Sequence, residues 1–427
     1  MLEAKTKVKR YDTYKYSGVE WLGEIPSHWE VKRFKHIFKE KKITHDVKLN
    51  CGSISFGKVV FKDDEKVPVS TKKSYQVLNK GEFLINPLNL NYDLKSLRIG
   101  LSDKDVVVSS GYIIVQNVAE LSKVYYKWLL HIFDIAFMKT LGSGVRQTLS
   151  FAHVANSELV FPPLSEQTKI AQFLDDKTSK IDVAVTIKEQ QINLLKERKQ
   201  ILIHKAVTQG LNPNVTLEDS GVEWIGEIPE GWEVKKLKYA TRIFRGKFTH
   251  RPRNDERMYD GDYPFFQTGD VARAGKYLSG FIQTLNEKGL RVSTLFPKGT
   301  IVITIAANIG DISILDIDAC FPDSIVGFEP NDFIEKHFLY NTLLVMKEQF
   351  MSSTIKNTQM NLNVDRIGSN SIVVPSFSEQ KKISVYIESA SQKIETAIRL
   401  KQQEIEKLKE YKSSLINSVV TGKVKVC

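Results

Sequence analysis

One motif occurs twice in this chain, 203 residues apart. Residues 17–34 read SGVEWLGEIPSHWEVKRF and residues 220–237 read SGVEWIGEIPEGWEVKKL, identical at 13 of 18 positions. A longer pair follows. Residues 165–208 and 378–421 align without a gap at an offset of 213, with 19 identities in 44 positions. The offsets differ by ten, so the intervening segment is about ten residues longer in the second copy. Solenoid repeats run at about 20–50 residues. A period above 200 therefore marks a duplicated domain plan: short motif, variable segment, long element, then all three again.

The repeated 44-residue stretch predicts a helix. It holds no Pro or Gly, and both copies open on Ser-Glu-Gln after a proline-bearing strand-like run, LVFPPL or IVVPSF. Ser165 and Ser378 read as N-caps, and Glu166 and Glu379 suit the positive end of the helix dipole. Ile394, Ile398, Ile405, Leu408, Leu415 and Val419 recur at spacings of three, four and seven. The first copy matches them with Ile181, Val185, Ile192, Leu195, Leu202 and Ala206. This is a heptad seam, broken by Lys188 and Lys401 at the same register. Forty-four residues of helix reach roughly 66 Å, more than one globular domain needs. Two such seams are better buried against each other.

The intervening segments, 39–158 and 239–371, read as mixed structure. Short runs such as Val106-Val107-Val108 and Ile301-Val302-Ile303 are broken by Gly, Asn and Asp. KGEFLIN at 80–86 resembles KGTIVIT at 298–304, each followed later by a glycine, Gly100 or Gly310. A shared frame with diverged surfaces suggests two related binding tasks with different ligands. The first segment carries 17 basic and 12 acidic residues, the second 15 of each. The second nonetheless opens on Arg242, Arg245, Lys247, Arg251, Arg253 and Arg257, opposed locally only by Asp255 and Glu256.

A net charge of +11 favours a polyanionic partner, nucleic acid before membrane. Three widely spaced cysteines give neither a zinc spacing nor a disulfide framework, and no run of 18 apolar residues or signal-peptide core occurs. The expected location is cytoplasmic. Catalytic motifs are missing: there is no Walker A sequence, Gly142-Ser143-Gly144 is a lone GxG, and no HExxH spacing occurs. Phe161-Pro162-Pro163-Leu164 lacks the polar first residue of an amino-methyltransferase tetrapeptide. Asp63-Asp64-Glu65-Lys66 reads as a solvated charge run rather than a nuclease cluster.

The order of motif, variable domain, helix start and long helix, given twice, resembles the specificity (S) subunit of type I restriction–modification systems. SGVEWLGEIPSHWEV with SGVEWIGEIPEGWEV, and FPPLSEQTKI with VPSFSEQKKI, carry the likeness; Ser376-Phe377 departs from the family's usual Pro-Leu. The resemblance implies an α+β fold: two mixed α/β target recognition domains, separated by two long antiparallel coiled-coil-like helices in an internal pseudo-two-fold repeat. The expected boundaries are 1–164 for the first motif and recognition domain and 165–210 for spacer helix 1. The second motif and domain take 211–377, and spacer helix 2 with the tail takes 378–427. The resemblance further implies a non-catalytic chain without a cofactor that binds double-stranded DNA. Its partners would be two methyltransferase subunits using S-adenosylmethionine and two motor-nuclease subunits using ATP and Mg. Reading bases takes amide, hydroxyl and Arg groups, and holding phosphates takes cations. The first segment offers Asn86, Asn89, Asn91, Ser143, Arg146 and Gln147; the second adds Gln267, Asn308, Lys356, Asn357 and Gln359 to its basic cluster. Two alternatives stand beside this reading: a structural coiled-coil adaptor without DNA contact, and a self-contained DNA methyltransferase or nuclease.

Overall fold

The computed structural model describes residues 9–88, 97–138, 149–306, 309–352 and 363–426. The chain forms two compact units, Met1–Lys188 with Gln402–Cys427, and Glu189–Lys401. Both are mixed α and β, and each is built on the same plan.

In each copy the repeated motif opens as a small antiparallel hairpin. Tyr14–Tyr16 pairs with Glu24–Pro26 in one unit, and Leu217–Asp219 with Glu227–Pro229 in the other. The end of the motif is also a strand, and it pairs with the apolar run that precedes the long helix. Glu30–Arg33 lies antiparallel to Glu158–Phe161, and Glu233–Lys236 to Ser371–Val374. Each variable segment is therefore closed at its base by a two-stranded clip. That is why both flanking sequences recur although what lies between has drifted.

Between the clip strands, a sheet of one order appears twice. In the first unit it runs Phe38–Glu40, Ile113–Asn117, Phe83–Ile85, Ile99–Leu101, all antiparallel. In the second it runs Thr241–Arg245, Ile325–Pro330, Ile301–Thr304, Ile312–Leu315, again antiparallel, with Tyr277–Leu278 added in parallel at the edge. The KGEFLIN and KGTIVIT runs supply the third strand of this order in both sheets. The two glycines are not equivalent: Gly100 lies inside a strand and Gly310 in the turn before one. A matched helix covers each sheet, α1 (Lys123–Phe133) in the first unit. Tyr125, Tyr126, Leu129 and Phe133 of α1 are fully buried with Phe34, Phe38 and Phe83.

The long helices are α2 (Leu164–Gln209) and α4 (Phe377–Val420); between them, α3 (Lys336–Val345) takes the place of α1 in the second unit. Both long helices start one residue earlier than expected, so Ser165 and Ser378 lie inside the first turn and do not cap it. At the start of α4 the capping oxygen is that of Ser376, which accepts from the Glu379 N–H at 3.3 Å. Proline occupies the matching position 163 before α2 and has no such oxygen.

Within each unit the two long helices run antiparallel. Lys412 bridges Asp182 at 2.6 Å in the first unit, and Lys199 bridges Glu395 at 2.6 Å in the second. Lys199 and Lys412 are repeat mates, as are Asp182 and Glu395, so one salt bridge has been built twice. Ile181, Ile192 and Ile405 are buried in the seam, and Val185, Leu195, Leu202, Ile394, Ile398, Leu408 and Leu415 are half-buried. Lys188 keeps the register because its ammonium reaches out of the seam to Glu404.

Each long helix stops at a left-handed glycine, Gly210 (φ 74°) or Gly422 (φ 77°). A Cβ on Gly210 would sit 3.1 Å from the Trp232 ring, and one on Gly422 would sit 2.9 Å from Trp29. The tryptophan of each motif copy thus packs on the end of a long helix: Trp29 with Ile416, Val419 and Val420, and Trp232 with Ile203, Ala206 and Val207.

Candidate nucleic-acid interface

Two buried glutamines tie each domain's covering helix to a long helix. Gln167 accepts a hydrogen bond from the Ser122 N–H (2.9 Å) and donates one to the Pro162 carbonyl (2.8 Å). Its mate Gln380 accepts from the Glu335 N–H (2.7 Å) and donates to the Pro375 carbonyl (2.9 Å). Both side chains are fully buried. Ser122 and Glu335 are the N-caps of α1 and α3, so the glutamine fixes the start of the helix that backs the sheet. The signal for this role was the identity of Ser-Glu-Gln in both copies; its third residue, not its first, does the clamping.

From that anchored sheet, polar loops leave one end. In the first unit the hairpin between Phe83–Ile85 and Ile99–Leu101 starts at Asn86, whose N–H donates to the Arg98 carbonyl at 2.8 Å. The Asn86 side chain is spent locally, accepting from the Leu88 N–H at 3.1 Å. The Leu149 N–H donates to the Pro87 carbonyl at 2.9 Å, which joins the foot of this hairpin to the foot of the segment after α1. Asn89, Asn91, Ser143, Arg146 and Gln147 lie outside the described residues, on the two segments whose feet meet here.

The hairpin is latched to the end of α1 by an ion pair. Arg98 Nε lies 3.0 Å from Asp134 Oδ1, and the Arg98 N–H donates to the same carboxylate at 2.5 Å. In the second unit, at positions 213 further along, the pair recurs with its charges exchanged: Lys347 meets Asp311 at 2.7 Å. Sequence reading found neither pair, because each joins residues 36 apart.

In the second unit the same end of the sheet carries the basic cluster. Arg245 pairs with Val326 and Thr304 with Ile325, so the loop after Arg245 leaves beside the loop that holds Asn308. All six cations are exposed, but the fold brings them more acid than the local sequence does. Arg253 binds Asp323 at 2.6 Å and Arg242 approaches Glu329 at 3.6 Å. Arg245 Nε donates to the Asp323 carbonyl. Arg251 spends its guanidinium on the carbonyls of Phe248 and His250. Arg257, aided by His250, holds the Asp255 carboxyl well below the usual range. Lys247 has no carboxylate partner among the described residues. The reading of a cluster opposed only by Asp255 and Glu256 is thereby corrected. Arg242, Arg245, Lys247, Lys298 and Lys336 line a cleft of about 640 Å³ together with Glu329, and Lys298 is bridged to Asp316 at 2.8 Å. Phe244 and Phe296, stacked at 4.8 Å, line it too. Gln267 donates to Gln283 at 3.1 Å. Asn308, Lys356, Asn357 and Gln359 lie outside the described residues.

Elsewhere the acidic run is structural. Asp64 binds Lys72 at 2.5 Å and accepts the Cys51 N–H, and these contacts pull its pKa down to about 2. Among the described residues no cluster of His, Cys, Asp or Glu is placed to hold a metal, and no helix is long and apolar enough to cross a membrane.

Comparison with known proteins points the same way. The family described as "Type I restriction modification DNA specificity domain" matches residues 26–196 and 229–410. The chain is 23% identical over 428 residues to a Methanocaldococcus jannaschii protein named as the type I restriction enzyme MjaX specificity subunit, covering 95% of this chain and 96% of that one. It is 26% identical over 283 residues to the MjaVIII specificity subunit of the same organism, covering 64% and 63%. Among solved structures, a chain from a study of assembly and conformational transition in the type I R-M system superposes with a TM-score of 0.71 at 15% identity, over 93% of this chain and 98% of that one. The HsdS subunit of Thermoanaerobacter tengcongensis gives 0.54 at 15% identity, over 94% and 98%. At that identity the structural likeness speaks to the fold.

Proposed function

Because this chain belongs to the type I restriction–modification DNA specificity family, we propose that it reads a split, asymmetric DNA target, one half through each recognition domain. The observation that carries this reading is the repeated frame with unlike reading edges. Strand order, clip and glutamine clamp are the same in both units, whereas the latch is charge-reversed and only the second unit carries the arginine loop. Identical frames with different edges suit two different half-sites. Half-sites read from one face of a duplex lie about one turn, roughly 10 base pairs, apart. The unread gap is then about 5–8 base pairs.

The chain supplies recognition and no chemistry. Methyl transfer to adenine falls to two methyltransferase subunits that bind S-adenosylmethionine, and cleavage to two ATP- and Mg-dependent motor-nuclease subunits. All of them assemble on this chain in the cytoplasm. Single-molecule sequencing of methyladenine in cells expressing the chain with its methyltransferase partner tests the reading. A bipartite, asymmetric motif is expected, and replacing residues 239–371 by a relative's segment should change one half only. A continuous or palindromic motif, or methylation by the chain alone, would overturn it.

A further inference from the structure

We propose that Phe56 is a base-contacting residue of the first recognition domain, its ring entering a groove of the duplex beside the hairpin that begins at Asn86. The inference rests on the DNA-reading function proposed above. Phe56 and Gly57 form the two-residue tip of the hairpin Gly52–Ser55/Lys58–Phe61, in which Ser55 faces Lys58. Both tip residues have positive φ, 46° for Phe56 and 73° for Gly57. Such a turn suits Asn-Gly or Gly-Gly, and a bulky side chain at its first position is strained. Folding gains little in return, because the residue is 72% exposed. A residue that costs the turn and buries little is placed for something outside the chain.

Its position says for what. A Cβ on Gly57 would lie 3.1 Å from Leu97 Cβ and 3.4 Å from the Ile99 carbonyl, so the tip is pressed against the closing arm of the Asn86 hairpin. Phe56 therefore stands at the sheet end from which the polar loops leave. Lys58 and Lys62 follow on the same hairpin, with no carboxylate partner among the described residues. An apolar ring flanked by free ammonium groups matches a duplex, with cations for phosphates and a ring for bases. Two base features offer that apolar contact: a thymine methyl group, or the face of a base at a partly unstacked step.

The test uses the full-length chain and a pool of duplexes of randomised sequence, with bound DNA selected and sequenced. Wild type should return a bipartite target; if it selects no target, the DNA-reading function itself fails, separately from this proposal. Phe56→Ala should lose discrimination at one or two adjacent base pairs of one half-site and bind the selected duplex about 10-fold more weakly. The other half-site should stay intact. Phe56→Asn, which relieves the turn, should melt higher than wild type yet show the same loss, and Phe56→Leu should recover part of it. On the selected duplex, deoxyuridine in place of thymine weakens wild type if the methyl is the contact. 2-Aminopurine fluorescence rises with wild type but not with Phe56→Ala if the ring enters a step. Unchanged selection and affinity in both Phe56→Ala and Phe56→Asn would overturn the proposal. So would an equal loss at every position accompanied by a lower melting temperature.

Discussion

The two charge-exchanged latches occupy the same place in the fold at different depths, which turns burial into a measurable difference. Arg98 and Asp134 are 7% and 1% exposed, whereas Lys347 and Asp311 are 44% and 23% exposed. Both terminal nitrogens of Arg98 are buried without a hydrogen-bond partner among the described residues, where Asp134 is what compensates its charge. Asp134→Ala would strand that guanidinium, and removing one member of a buried pair costs about 3–5 kcal/mol. It would also free the Arg98 N–H. Lys347→Ala, at the surface, should cost about 0–1 kcal/mol. Hydrogen exchange of peptides covering Phe83–Ile85 and Ile99–Leu101, compared with Ile301–Thr304 and Ile312–Leu315, reads the two openings separately. The double change Arg98→Met with Asp134→Asn keeps an acceptor for the Arg98 N–H and removes both charges. It should recover most of the Asp134→Ala loss, since apolar replacement of a buried pair is often neutral. Equal losses for Asp134→Ala and Lys347→Ala, or no recovery in the double variant, would refute the argument that desolvation sets the difference.

Lys247→Ala should weaken DNA binding evenly across sequences and lower the slope of log affinity against log salt by about 0.9, the signature of one lost phosphate contact; titrations at several salt concentrations check it. One residue inserted after Lys188 should turn Ile192, Leu195 and Leu202 by about 100° out of the seam and lower the urea midpoint. Four residues overshoot one turn by only about 40° and should largely preserve it. Gln380→Ala should leave the Glu335 N–H, the Pro375 carbonyl and the more exposed Phe333 carbonyl without their amide partner, and cost about 2–6 kcal/mol in urea unfolding, at about 1–3 kcal/mol for each of the first two groups. Burial works to raise the pKa of Glu166, but hydrogen bonds from His28, Trp29 and Tyr11 outweigh it and leave it below 4.5. The sign follows: this contribution is complete above the unfolded value and is lost as pH falls through the lowered folded one. Glu166→Gln should flatten that acid limb, measured by melting from pH 6 to 3.

What the sequence determined by itself was whatever repeats or recurs locally. The duplicated plan, the two long helices and their heptad seams are written in spacings of three, four and 213 residues, and periodicity survives without knowledge of partners. Even so, the helix starts were displaced by one residue, because Ser165 and Ser378 are equally at home inside a first turn. The pairings that shape the reading edges were decided by tertiary structure alone. Asp323 reaches Arg253 across 70 residues, Asp134 reaches Arg98 across 36, and Leu149 meets Pro87 across 62. Strand order makes these neighbours, and strand order follows from burying Phe38, Phe83, Ile113 and Tyr126 in one core. Burial of apolar side chains is a property of the whole sheet and its covering helix. A charge on the chain therefore meets its partner only once that core has chosen which strands lie side by side.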